Sequence, residues 1–106
     1  MGKYLIQANY STEGLKGLAK EGGSARRASL DALVKKHGGK VEAFYYAFGD
    51  VDVYSVLELP DNVVASALAL AINRSGAVNV KTTVLLTPEE VDQVVKKEVE
   101  YRAPGH

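Results

Sequence analysis

One ordered alternation of two periodicities constrains this chain more than any other feature: a β-rich run, helical stretches, two β-rich runs, a helix, a β-rich run, a helix. Tyr4–Tyr10 is rich in β-formers and stops at Ser11-Thr12, either of which suits a helix N-cap. A helical stretch follows from about Glu13 to Glu21. Gly22-Gly23-Ser24 breaks it, since each glycine costs roughly 1 kcal/mol in a helix interior, and Ser24 is placed to cap the restart. From about Ala25 to His37, Leu30, Leu33, Val34 and His37 fall on one helical face, and Gly38-Gly39 supplies the stop. Lys40–Phe48 and Val51–Leu59 flank Gly49-Asp50, which suits a two-residue type II′ hairpin turn. Pro60 ends the second of these runs, and Asp61 caps a helix from Asn62 to about Arg74. Val78–Leu86 reads as the fourth strand. Thr87-Pro88-Glu89-Glu90 then opens a helix expected to run to about Tyr101, with Arg102–His106 a frayed tail.

The order β-α-β-β-α-β predicts an α+β chain with a ferredoxin-like four-stranded antiparallel sheet, both helices on one face, and an added C-terminal helix. At 106 residues it is expected to be a single domain, residues 1–106. Thirteen basic and thirteen acidic side chains cancel, so no charge imbalance draws it to nucleic acid or an anionic membrane. The acidic, aliphatic run Val51–Glu58 also lacks the basic aromatic strand of an RNA-recognition module of the same topology. The absence of cysteine removes disulfides, thiolate metal sites and a cysteine nucleophile. No apolar run approaches the roughly 20 residues of a membrane span. Met1-Gly2-Lys3-Tyr4 leads straight into a strand, so no signal peptide is expected and the expected location is cytoplasmic. No cofactor is expected: there is no phosphate-binding glycine loop, nucleophile elbow or zinc-binding helix motif.

Two helices cover only one sheet face, yet the second and third strands look apolar on both. With a two-residue turn, Phe44, Tyr46, Phe48, Val51 and Val53 share one face. Val41, Ala43, Tyr45, Ala47, Tyr54 and Val56 share the other. The expected remedy is self-association, as a homodimer or a larger assembly of dimers, with the C-terminal valines helping to seal it. A second use of the aromatics is a pocket for a small apolar or aromatic molecule near the hairpin and the end of the first strand. Its candidate lining is Asn9, Tyr10, Tyr46, Phe48, Asp52 and Tyr54, with Asn9 and Asp52 as orienting polar groups. The same residues also suit bland roles: Tyr and Phe as core or interface, Asp50 and Asp52 as turn residues bonding local amides. His37 suits a general base, or a charge at a helix C-terminus. Arg26-Arg27-Ala28-Ser29 has the look of a phosphorylation motif and equally of a solvated helix face. No metal site is expected from two histidines so placed.

The stretch Phe44–Tyr54, followed by Val56, Glu58, Pro60 and Asp61, resembles the GYD-domain family, and the resemblance extends from the first strand through Val78–Thr83. Gly49 and Asp52 match the glycine and aspartate for which the family is named, while Val51 stands at the tyrosine position. The resemblance implies a dimeric α+β barrel of ferredoxin-like chains. That wider class includes small-ligand binders and cofactor-independent or haem-using oxygenases and isomerases, and membership alone does not choose among them. A small-molecule-binding homo-oligomer is the leading expectation, with an assembly module or an oxygenase- or isomerase-type enzyme as alternatives.

Overall fold

The first strand lies inside the sheet. In a computed structural model describing residues 1–106, β1 (Gly2–Tyr10) pairs antiparallel with both β3 (Val53–Leu59) and β4 (Val78–Leu85). β2 (Lys40–Tyr46) completes the order β2-β3-β1-β4, again antiparallel, so the fold is α+β with the ferredoxin-like strand order. Within one chain the sheet is open, with β2 and β4 as edges, and does not close into a barrel.

Four helices connect and extend it: α1 (Thr12–Glu21), α2 (Gly23–Lys36), α3 (Asn62–Arg74) and α4 (Pro88–Lys96). Ser11, Asp61 and Thr87 accept hydrogen bonds from amides of the first turns of α1, α3 and α4, and Thr87 with Glu90 forms a reciprocal capping box. The break between α1 and α2 is a single residue, Gly22, whose φ of 88° suits glycine. Ser24 therefore lies inside α2 and does not cap it, contrary to expectation.

Strand register places Tyr4, Ile6 and Ala8 beside Leu57, Ser55 and Val53 on the face that α2 and α3 cover. Val34 of α2, and Ala65 and Leu68 of α3, pack there with Tyr4, Leu57 and Leu59. Ala8, Val53 and Val80 form a second, smaller cluster toward the other end of β1.

The hairpin differs from the expected two-residue turn. β2 ends at Tyr46 and β3 begins at Val53, leaving Ala47–Asp52 as a connection. Gly49 does not take the positive φ of a type II′ turn; Phe48 does, at 55°. A bulge between Val41 and Ala43 also shifts register, so Val41 joins Phe44 and Tyr46 on the helix-covered side. Tyr45 and Tyr54 stand opposite each other on the outer face, beside Ala43, Val56, Leu5 and Leu85. Lys3, Gln7, Asn9, Glu58, Lys81 and Thr83 share that face. The outer face is thus mixed, not largely apolar, because β1 and β4 alternate more cleanly than β2 and β3.

α4 stops at Lys96, short of the expected Tyr101; Lys97 is already extended. No residue of α4 is buried. A nine-residue helix without packing is close to the limit of what local bonds sustain. The radius of gyration is 17.0 Å, against roughly 13 Å for a compact chain of this length. No helix is long and apolar enough to cross a membrane.

Gly14 marks the tightest approach in the fold. A Cβ there would lie 2.0 Å from the Ala77 carbonyl oxygen, which also accepts from the Ser11 amide at 2.9 Å. Gly14→Ala should therefore destabilise by about 1–3 kcal/mol, read as a lower urea midpoint. Gly17→Ala, in the same helix with open space around it, should leave the midpoint unchanged or raise it by up to about 1 kcal/mol.

Candidate functional site: an apolar cavity beneath the helices

The height of the side chains along β1 decides where the sheet and helices meet. Tyr4 and Ile6 pack with Val34, Ala65 and Leu68 of the helices, whereas Ala8 is short, as are its neighbours across the sheet, Val53 and Val80. Ser55, opposite Ile6, is short as well. A cavity of about 240 Å³ lies over this low ground. Ala8, Val53, Ser55 and Val80 contribute its floor; Tyr10, Phe44 and Val78 join from the strands, Leu30 and Leu33 from α2, and Ile72 from α3. An adjoining space of about 30 Å³, lined by Leu57, Ala65, Leu68 and Ala69, is nearly filled.

Four of the thirteen lining residues carry polar groups: Arg26, Ser29, Ser55 and the phenol of Tyr10. Ser55 is buried, and its hydroxyl donates to the Ala43 carbonyl at 2.7 Å. Arg26 is half-buried and Ser29 exposed, both from the first half of α2. Positions 26, 29, 30 and 33 share one helical face, which is the signal that places Arg26 with Leu30 and Leu33. The view of Arg26–Ser29 as wholly solvated holds for Ala28 but not for Arg26 or Arg27. Arg27 lies 5.8 Å from the centre of the Phe44 ring, and its Nε is buried without a hydrogen-bond partner, 3.6 Å from an Asp31 carboxylate oxygen.

The six residues singled out from sequence occupy four places. Tyr10 lines the cavity; the other five do not. Asn9 and Asp52 tie β1 to the start of β3: the Tyr10 amide donates to Asp52 Oδ2 at 2.9 Å, and the Asp52 amide donates to Asn9 Oδ1 and to the Ala8 carbonyl, each at 3.0 Å. The Asp52 carboxylate thus bonds an amide of another strand, not the local turn amides expected of it. Tyr46 packs edge-on against Phe44 at 5.1 Å and stacks on Phe48 at 5.8 Å. Its hydroxyl donates to the Gly23 carbonyl at 3.0 Å. Phe48 is otherwise exposed, and Tyr54 lies on the opposite face of the sheet.

His37 sits at the C-cap of α2, exposed, with its amide donating to Val34 O. No three His, Asp or Glu side chains come close enough together to hold a metal ion. On the outer face Lys3 bonds Glu42 and lies 3.5 Å from Glu58; this pairing raises the Lys3 pKa and lowers that of Glu42.

Burial pushes the Tyr46 phenol above its ordinary pKa, and the neighbouring Tyr10 phenol adds to this; the Arg26 charge works the other way. A raised folded-state pKa makes Tyr46 a source of stability below the unfolded phenol value, lost as pH rises through the folded one. Stability should fall in alkali above about pH 10, the unperturbed phenol value. Tyr46→Phe should flatten that fall in pH-dependent urea melts and remove a late-ionising phenol from the tyrosinate absorbance titration.

A family model for the GYD domain matches residues 4–95. No curated protein and no solved structure matches the chain.

Proposed function

The chain belongs to the GYD-domain family, and on that premise we propose that it is a self-associating protein that binds a small apolar or aromatic molecule in the cavity between sheet and helices. The observation that carries this reading is the cavity. Ten of its thirteen lining residues are hydrophobic, and it lies against the smaller core cluster of Ala8, Val53 and Val80. Its size exceeds that of a benzene-sized engineered void of roughly 150 Å³ and falls just below the usual range for drug-sized ligands, so the fitting occupants are small.

A neutral apolar alcohol, 1-octanol, is a direct probe. At 100 times its dissociation constant a bound ligand adds about 2.7 kcal/mol, which for a chain of this size raises the melting temperature by about 10 °C. Val78→Phe, which places a ring into the cavity, should abolish the shift while the variant remains folded by circular dichroism. No shift with the natural chain would leave the assembly-module reading in place.

Self-association rests on different residues. Val91, Val94 and Val95 of α4 are exposed, as are Tyr45 and Tyr54 on the outer sheet face. Two such sheets stacked face to face, each flanked by the partner's α4, would cover both surfaces and supply the barrel that one open sheet lacks. Light scattering at micromolar concentration should give a multiple of 11.4 kDa. Val91→Glu with Val94→Glu should return the chain to that mass.

A further inference from the structure

We propose, building on the small-molecule reading of the cavity above, that its ligand is an apolar carboxylic acid, bound as the carboxylate with its head at Arg26 and Ser29 and its hydrocarbon part over Ala8, Val53 and Val80. The argument is one of unmatched charge. Arg26 is the sole charged residue lining the cavity, and no acidic side chain lines it. The nearest carboxylate to the Arg26 guanidinium is Glu21, 3.8 Å away and about half exposed, a loose pair in a solvated setting. Ser55 gives its proton to Ala43 and so cannot serve as the donor for an incoming oxygen. Ser29, three residues beyond Arg26 on the same helical face, also lines the cavity and forms none of the side-chain hydrogen bonds within the chain.

A neutral ligand would fill the apolar floor and leave this donor pair to water. A cationic one would meet Arg26 with nothing to offset it. A carboxylate satisfies both groups at once: the guanidinium fork matches its two oxygens, and the hydroxyl adds a third donor. The half-buried position of Arg26 strengthens such a bond relative to one at an open surface while leaving the head near solvent.

Calorimetric titration of the full chain near pH 7 with octanoate, and with 1-octanol as its uncharged counterpart, tests this. Octanoate should bind at least about tenfold more tightly, the gain expected of a charge-assisted bond over a neutral contact. Arg26→Gln should remove that preference, so that the variant binds the two probes equally; Ser29→Ala should reduce it. Circular dichroism establishes that each variant is folded. Equal affinity for the two probes in the natural chain, or a preference that survives Arg26→Gln, would overturn the carboxylate assignment and leave the cavity reading standing. Binding of neither probe at millimolar concentration would overturn both.

Discussion

The rise and fall of side-chain height along β1 governs this molecule. Because β1 pairs on both sides, each of its inward residues sets a row across the sheet. The Tyr4 row contains Val84, Leu57 and Val41; Tyr4, Leu57 and Val41 pack with the helices, while Val84 on the edge strand is exposed. The Tyr4 phenol even reaches Asn62, at the start of α3, at 2.6 Å. The Ala8 row contains Val80, Val53 and Tyr46, and at its centre nothing is taller than valine. The helices pack on the tall row, while over the short one Ala69 and Ile72 of α3 leave part of the space to the cavity. The division of the core into two clusters and the cavity between strands and helices both follow from that one difference.

The same reasoning separates what sequence pattern reveals from what it conceals. Order and type of the elements are legible because each is written in local chemistry: Asp61 and Thr87 as caps, glycine at Gly38 in the left-handed region at a helix end, β-formers in runs. The site is less legible, because cavity walls come from elements distant in sequence. Alanines on α3 suggest a gap, yet Ala65 and Ala69 line the nearly filled space, and the open cavity lies over a small residue of the sheet. Local patterning cannot show which row of the sheet a helix will rest on.

Register has its own reason for escaping a linear reading. Period-2 alternation assumes an unbroken ladder and a known turn length. The bulge beside Glu42 and the Ala47–Asp52 connection break both assumptions. Asp52 is captured by β1 through its own amide and its carboxylate, so β3 begins where β1 dictates, not where the hairpin would close most tightly. That capture gives Asp52 a structural task, independent of any ligand. Val51 offers no phenol to the connection. The aromatic contacts there are instead made by Tyr46 and Phe48.

The two surfaces on which the functional reading rests lie on opposite sides of one sheet, and strand geometry makes them separable. Successive residues point to opposite faces, so Val53 supports the cavity floor while Tyr54 stands outside. Changes at Tyr45, Tyr54 or α4 can alter association without touching the cavity wall, and changes at Arg26 or Val78 can alter occupancy without touching the outer face. Stability nevertheless links them. A chain that buries few side chains completely has little core to spare. Filling the low row with a ligand and covering the outer face with a second copy each remove apolar surface from water. Each would therefore stabilise the same sheet.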